Sequence, residues 1–280
     1  MSVTVTQGLR RAAQTLAQTS DTARLDAELL MAHALGCTRS AMLLGRGRDA
    51  VPAGFDALIQ RRLVHEPVAY IIGHQEFFSL SFAVSPEVLI PRGDSEVLVE
   101  AALAARGDAR RVLDLGTGSG ALLLAVLHHL PAAGGIGLER SPGAQAMART
   151  NARNLGLDQR ATIQAGDWTQ PDWTEGLGRF DLILSNPPYV EEDAALDPGV
   201  RDHEPAAALF AGAEGLDDYR RLIPALPALL APGGVALVEI GHTQADAVAA
   251  IACDHGMIAI LHRDLADRPR ALELRVAGQG

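Results

Sequence analysis

Phe180-Asp181-Leu182-Ile183-Leu184-Ser185-Asn186-Pro187-Pro188-Tyr189 joins an apolar run to a polar turn with two consecutive prolines. The run is rich in aliphatic and β-favouring residues, and the prolines forbid helix and ladder pairing beyond it. The stretch therefore predicts a buried strand whose carboxyl end opens into a rigid turn. In an open α/β sheet, ligands bind beyond the carboxyl ends of the strands. There the turn presents the Asn186 carboxamide, backbone carbonyls at Asn186-Pro187 restrained by the proline rings, and the flat face of Tyr189. Two acceptors and a stacking face suit a planar NH2 group on an sp2 carbon, either a carboxamide or the exocyclic amine of adenine. The lone pair of such a nitrogen is delocalised. Holding both of its hydrogens favours a more pyramidal nitrogen aimed at an electrophile.

Strands and helices alternate around this stretch. Strands are expected at 111–115, 135–138, 161–165, 180–185, 235–240, 258–262 and 271–276, with helices at 96–105 and 121–130 among the connections. Only residues 263–270 separate the last two strands, so these should pair antiparallel at one edge of a doubly wound sheet. Residues 4–72 read instead as short helices: 8–19 with Leu9, Ala12, Ala13 and Leu16 inward, and 23–35 with Asp21 as cap and Leu25, Leu29, Leu30 and Ala34 on one face. Two more follow, at 53–65 with Phe55, Leu58, Ile59 and Leu63 together, and a short one at 67–72. Residues 75–84 alternate and turn near 79–81, as a hairpin would, and Asp94 or Ser95 is placed to cap the helix from Glu96. Three domains result: a helical domain at 1–74, a hairpin linker at 75–86 and an α/β domain at 87–280.

Gly116-Thr117-Gly118-Ser119-Gly120 follows the first strand of the α/β domain and opens a helix, allowing close approach of backbone to a ligand. With Ala121 it also satisfies a relaxed dinucleotide fingerprint, so a nicotinamide or flavin oxidoreductase is a competing reading. Glu139 ends the second strand, where a carboxylate can accept from both ribose hydroxyls of either cofactor. Asp167-Trp168 closes the third, where an acid, a backbone amide and an indole can meet an adenine. The 186–189 turn discriminates. It offers no acid–base group placed for hydride transfer, and fits attack by a held NH2 group on the sulfonium of S-adenosylmethionine.

The chain has 280 residues, no lysine and a formal net charge of −10. The missing lysine excludes Schiff-base chemistry and the lysine of a phosphate-binding loop, and the acidity argues against a duplex nucleic-acid partner. Before residue 85, eight arginines nearly balance seven acids, so the acidity belongs to the α/β part. Cys37 and Cys253 lie far apart and the histidines lack ligand spacing, so neither a disulfide framework nor a metal is expected. No run of about 18 apolar residues and no basic-then-apolar leader is present, which predicts a cytoplasmic protein without a membrane span.

The segments 67–92 (PVAYIIGHQEFFSLSFAVSPEVLIPR), 112–120 (VLDLGTGSG), 166–168 (GDW), 180–190 (FDLILSNPPYV), 204–223 (EPAAALFAGAEGLDDYRRLI) and 230–241 (LAPGGVALVEIG) resemble the HemK/PrmC family of protein-(glutamine-N5) methyltransferases. Many methyltransferases share GTGSG and NPPY, whereas the first segment and EPxxALxxGxxGL are far more specific. The resemblance implies a Rossmann-like, seven-stranded class I methyltransferase sheet with a small all-α amino-terminal domain joined by a β-hairpin. It implies that Gly116, Thr117, Gly118, Ser119, Gly120, Glu139, Trp168 and Asn186, with Asp167 nearby, contact S-adenosyl-L-methionine. Asn186, Pro187 and Tyr189, with Pro188 in the same turn, would hold the glutamine of the Gly-Gly-Gln loop of a peptide chain release factor. The helical domain would help to recognise that factor, residues 190–215 would border the substrate channel, and a monomer is expected. One departure is Gly93 in Pro91-Arg92-Gly93-Asp94-Ser95-Glu96, where the family has proline, which loosens a turn near the cofactor mouth. The rival readings are a glutamine methyltransferase of a ribosomal protein, an adenine-N6 DNA methyltransferase and a non-catalytic cofactor-binding partner of a translation factor.

Overall fold

The computed structural model describes residues 3–278, which group into two compact units. One comprises the chain up to His74 together with Leu196–His203, and the other holds the remainder.

The smaller unit contains α1 (Val5–Leu16), α2 (Ala23–Ala34), α3 (Arg39–Gly45), α4 (Phe55–Leu63) and α5 (Val68–Ile72). Helix α1 begins earlier than residue 8 because Thr4 and Gln7 form a reciprocal cap, with Thr4 N donating to Gln7 Oε1 at 3.0 Å. Leu9, Ala12 and Leu16 point inward as their spacing requires. Helix α2 keeps only part of the expected face inward: Leu30 is buried and Ala34 packs partly against the core, but Leu25 is 42% exposed, while Asp26 and Glu28 are buried. Both acids are paired, Asp26 with Arg62 at 2.7 Å and with the Ser20 and Thr22 hydroxyls, and Glu28 with Arg24 and Arg39. Among the described residues Asp21 makes no cap bond; Thr22 holds the cap position without a side-chain cap bond. The unexpected α3 starts from Thr38, whose hydroxyl accepts from Ala41 N. In α4, Phe55 and Ile59 are buried, and Leu58 and Leu63 pack partly against the same core. Within this unit, His203 Nε2 donates to the Val64 carbonyl at 3.0 Å.

A hairpin follows, β1 (His74–Phe77) and β2 (Leu80–Ala83), which belongs to the larger unit from Gln75 onward. It turns at Phe78-Ser79, slightly before the expected 79–81, with both residues at positive φ (49° and 61°). Phe78 is held there by its N–H, which donates to Glu96 Oε1 at 2.8 Å, and by edge-on packing against His129. Phe77 and Phe82 lie in the main core, and the Asn151 carboxamide makes two hydrogen bonds with the Ala83 backbone. The hairpin is thus a packed part of this unit.

Then follow α6 (Glu96–Arg106), β3 (Arg111–Leu115), α7 (Ala121–His129), β4 (Gly134–Glu139), α8 (Pro142–Asn154), β5 (Ala161–Ala165) and β6 (Phe180–Ser185). After a long connection come α9 (Asp217–Leu222), β7 (Leu230–Glu239), α10 (Ala245–Asp254), β8 (Met257–Arg263) and β9 (Pro269–Val276). The sheet runs β5-β4-β3-β6-β7-β9-β8, with β9 antiparallel to both neighbours and β8 at the edge. Successive parallel strands move outward from β3 on one side and from β6 on the other. The order therefore reverses between these two strands, and a crevice opens beyond their carboxyl ends. Helix α7, apolar nearly throughout, packs in the core on one face with Leu98 and Val99 of α6. Tyr219 and Leu222 of α9 and Val248 of α10 pack in a second core. Among the described residues, no helix is long and apolar enough to cross a membrane.

Candidate functional site

Four strand ends meet at one open cavity of about 360 Å³. Gly116, Thr117, Gly118 and Ser119 follow β3, Glu139 ends β4, Asp167 and Trp168 follow β5, and Asn186 and Pro188 follow β6; all of them line it. Gly120, Pro187 and Tyr189 are not in its lining.

The turn after β3 needs glycine at alternate positions because Gly116, Gly118 and Gly120 have φ of 76°, 56° and 84°. Its amides are largely spoken for. Gly116 N and Thr117 N donate to Leu138 O, Gly120 N to Thr117 O, and Gly118 N to Glu139 Oε2 at 3.0 Å. The loop therefore offers a ligand close backbone approach more than free donors, unlike a phosphate cradle. Glu139 Oε1 accepts from Ser141 N at 2.8 Å, so two backbone amides orient the carboxylate, whose remaining lone pairs suit a diol.

Trp168 Nε1 donates to buried Asp218 at 2.7 Å. This bond stands the indole so close to Gly116 that a Cβ there would lie 2.8 Å from the ring. Burial alone would raise the Asp167 carboxyl, yet the Thr169 N–H and hydroxyl, with Arg140 and Arg221 nearby, hold it below the usual range.

The turn after β6 is fixed from several sides. Ser185 Oγ donates to Leu115 O at 2.9 Å, and Gln244 Nε2 to Tyr189 O at 3.1 Å. Val190 bridges Phe210 in parallel, tying the long connection back to the turn. The Tyr189 hydroxyl donates to Glu239 Oε1 at 3.2 Å, and burial with the neighbouring carboxylate raises its pKa. The Asn186 carboxamide, by contrast, lines the cavity and makes no hydrogen bond among the described residues.

Several cavity-side groups lie outside the expected set. Asp114 is buried, accepts from Thr117 Oγ1 at 2.5 Å, and its Oδ1 has no hydrogen-bond partner of ordinary geometry among the described residues. Burial pushes its carboxyl up to about 7, the Thr117 hydroxyl and the Leu123 backbone N–H opposing and nearby Glu139 adding to the rise. Its signal in the sequence was an acid within the apolar strand 112–115. Glu204 accepts from Ile90 N at 3.1 Å and from Arg92 Nη2 at 2.5 Å, joining two segments that border the cavity. Ser95 holds the expected cap position of α6, but neither it nor Asp94 makes a side-chain cap bond there. Asp94 pairs with Arg270 at 2.9 Å, and Ser95 is buried. The connection 190–215 lines the cavity only through its later part, at Pro205, Ala207, Ala208 and Phe210–Gly212, whereas Leu196–His203 belongs to the smaller unit.

Residues 7–73 match the family described as PrmC N-terminal domain, and residues 93–202 match the methyltransferase small domain. The chain is 44% identical to a release factor glutamine methyltransferase of Rhodospirillum rubrum, over 92% of this chain and 80% of that one. It is 42% identical to the protein of the same description from Vibrio cholerae, over 91% of each chain. Among solved structures, a ribosomal protein L11 methylase from Lactobacillus delbrueckii subsp. bulgaricus superposes with a TM-score of 0.50 at 21% identity. That match covers 69% of this chain and 83% of the other, a likeness of fold.

Proposed function

The chain belongs to the family of release factor glutamine methyltransferases, and on that premise we propose that it methylates the side-chain amide nitrogen of the glutamine in the Gly-Gly-Gln loop of a peptide chain release factor. The observation that carries this reading is the unpaired Asn186 carboxamide, set on a proline-stiffened turn and opening into the cavity bordered by Gly116–Ser119, Glu139 and Trp168.

The residues present fit S-adenosylmethionine. Glu139 is oriented to accept from a ribose diol, and Trp168 presents an indole held upright by Asp218. Asp114 Oδ1 is an acceptor for an ammonium group. When bound, the cofactor supplies a sulfonium methyl electrophilic enough to alkylate an amide nitrogen. Asn186 Oδ1 and the Pro187 carbonyl take the two hydrogens of the substrate amide, reducing the delocalisation of its lone pair and fixing its direction. Tyr189 stiffens the same turn and offers its ring to the planar amide. The nitrogen is cationic once methylated and gives its proton to water, so no general base is assigned.

Changing Asn186→Ala tests this division of labour. Transfer to the factor should fall by about 100-fold or more, with cofactor affinity by calorimetry largely unchanged. Full activity in that variant would refute the role given to the turn.

A further inference from the structure

The functional reading leaves one buried group at the site unexplained. Glu239 ends β7, is 1% exposed, and lies next to the strand that delivers the 186–189 turn. A buried carboxylate is costly unless partnered, and this one is only partly satisfied. Its Oε1 accepts from the Tyr189 hydroxyl, while Oε2 has no hydrogen-bond partner among the described residues. The Ser95 hydroxyl faces it without closing a bond of ordinary geometry.

Several elements around Glu239 contribute polar or charged groups. Tyr189 comes from the turn after β6, Asp94 and Ser95 from the turn before α6, and Arg270 from β9. Tyr219 of α9 donates to the Glu239 backbone carbonyl at 2.9 Å. Arg270 is itself shared, pairing with Asp94 and Asp264. Both of those contacts use Nη2, and the buried Arg270 Nε has no hydrogen-bond partner; among the described residues the carboxylate's one side-chain hydrogen bond comes from Tyr189.

We propose that Glu239 is a positioning residue for methyl transfer, its carboxylate holding Tyr189 by the hydroxyl so that the aromatic ring and the Asn186-Pro187 carbonyls keep the geometry that receives the amide. The hydroxyl is thereby directed into the protein, leaving the ring face as the part of Tyr189 that meets substrate. An ionised carboxylate is the stronger acceptor for this bond. Burial raises the Glu239 carboxyl to about 7, against the lowering effects of Ser95, Arg270 and Tyr189, so the anchor strengthens as pH rises through neutrality. Glu239 touches neither methyl donor nor amide in this assignment and moves no proton in the reaction. The proposal rests on the amide-methylation reading above.

The test is a kinetic cycle on the full chain, using labelled methyl transfer to a release factor in wild type, Y189F, E239Q and the double variant. Y189F removes one hydroxyl and nothing else, so it reports on the anchor even where E239Q folds poorly. Each single change should lower kcat about tenfold with KM for S-adenosylmethionine within about twofold, and the double change should be no worse than either. The rise of wild-type kcat through pH ~7 should be absent in E239Q and in Y189F. The Asp114 carboxyl titrates in the same range, so a rise retained in both variants assigns the flank to Asp114 and overturns the proposal. Multiplicative losses in the double variant, or wild-type turnover in Y189F, overturn it as well. A wild-type protein that leaves the glutamine unlabelled refutes the functional reading itself, an outcome distinct from an active enzyme indifferent to Glu239.

Discussion

The Trp168 indole N–H is bonded to Asp218 at 2.7 Å, which stands the ring against Gly116, where even a methyl group would collide with it. Two loops from different strands and the start of α9 thus shape one wall of the cavity. If this wall receives the adenine, Gly116→Ala should weaken S-adenosylmethionine binding by at least about tenfold, or ~1.4 kcal/mol. Asp218→Ala should do the same by a second route, freeing the indole and costing about 1 kcal/mol of stability. Calorimetric titration with the cofactor checks both. Unchanged affinity in both variants would remove Trp168 from the binding wall.

Asp114 and Glu239 both have carboxyl groups raised to about 7 by burial. A carboxyl whose folded pKa exceeds its unfolded value holds its proton more tightly in the native state. Its stabilisation is full below the unfolded pKa and is lost as pH rises through the folded one. The window therefore runs from about pH 4 to about pH 7, with an amplitude of a few kcal/mol per group as an upper scale. Urea unfolding of the ligand-free protein at pH 5 and pH 8 should show a smaller loss on raising pH in Asp114→Asn than in wild type. An identical loss in the two would mean that Asp114 does not titrate in this range.

Gly93 begins a short 3-10 turn, and the preceding Arg92 is extended (φ −100°, ψ 140°), the conformation that proline demands of its predecessor. A Cβ at Gly93 meets open space, and its N–H donates no hydrogen bond among the described residues. Gly93→Pro should therefore stabilise the protein by about 0.4–1 kcal/mol through the unfolded state. The urea midpoint checks this, and a lower midpoint would show that the turn needs glycine.

The features legible in the sequence are those set by local rules. The apolar run 180–185 before two prolines defined β6, and the alternate glycines of 116–120 defined the turn after β3. The short connection between the last two strands gave their antiparallel pairing. What escaped depends on partners distant in the chain. Asp94 and Ser95 have the chemistry of caps, yet Arg270 takes one and the other is buried facing Glu239. Leu25 matched an apolar stripe, but Arg62, Arg24 and Arg39 allow Asp26 and Glu28 to be buried in α2 instead. Strand β7 starts at Leu230, ahead of the expected 235, because Phe180 pairs with Leu230 across a bulge that Gly233 and Gly234 accommodate. In the site, the glycines, Glu139, Trp168 and Asn186 were readable as motif positions. The pairing of Trp168 with Asp218 and of Tyr189 with Glu239 joins residues about 50 apart, and no local pattern carries it.

The most direct test of amide methylation is transfer of a tritiated methyl group from S-adenosylmethionine to three targets: a purified release factor, the same factor with its loop glutamine changed to alanine, and adenine-containing duplex DNA. Label on the unaltered factor alone is the predicted result and identifies both reaction and atom. Label on the altered factor or on DNA, or on none of the three, would contradict it.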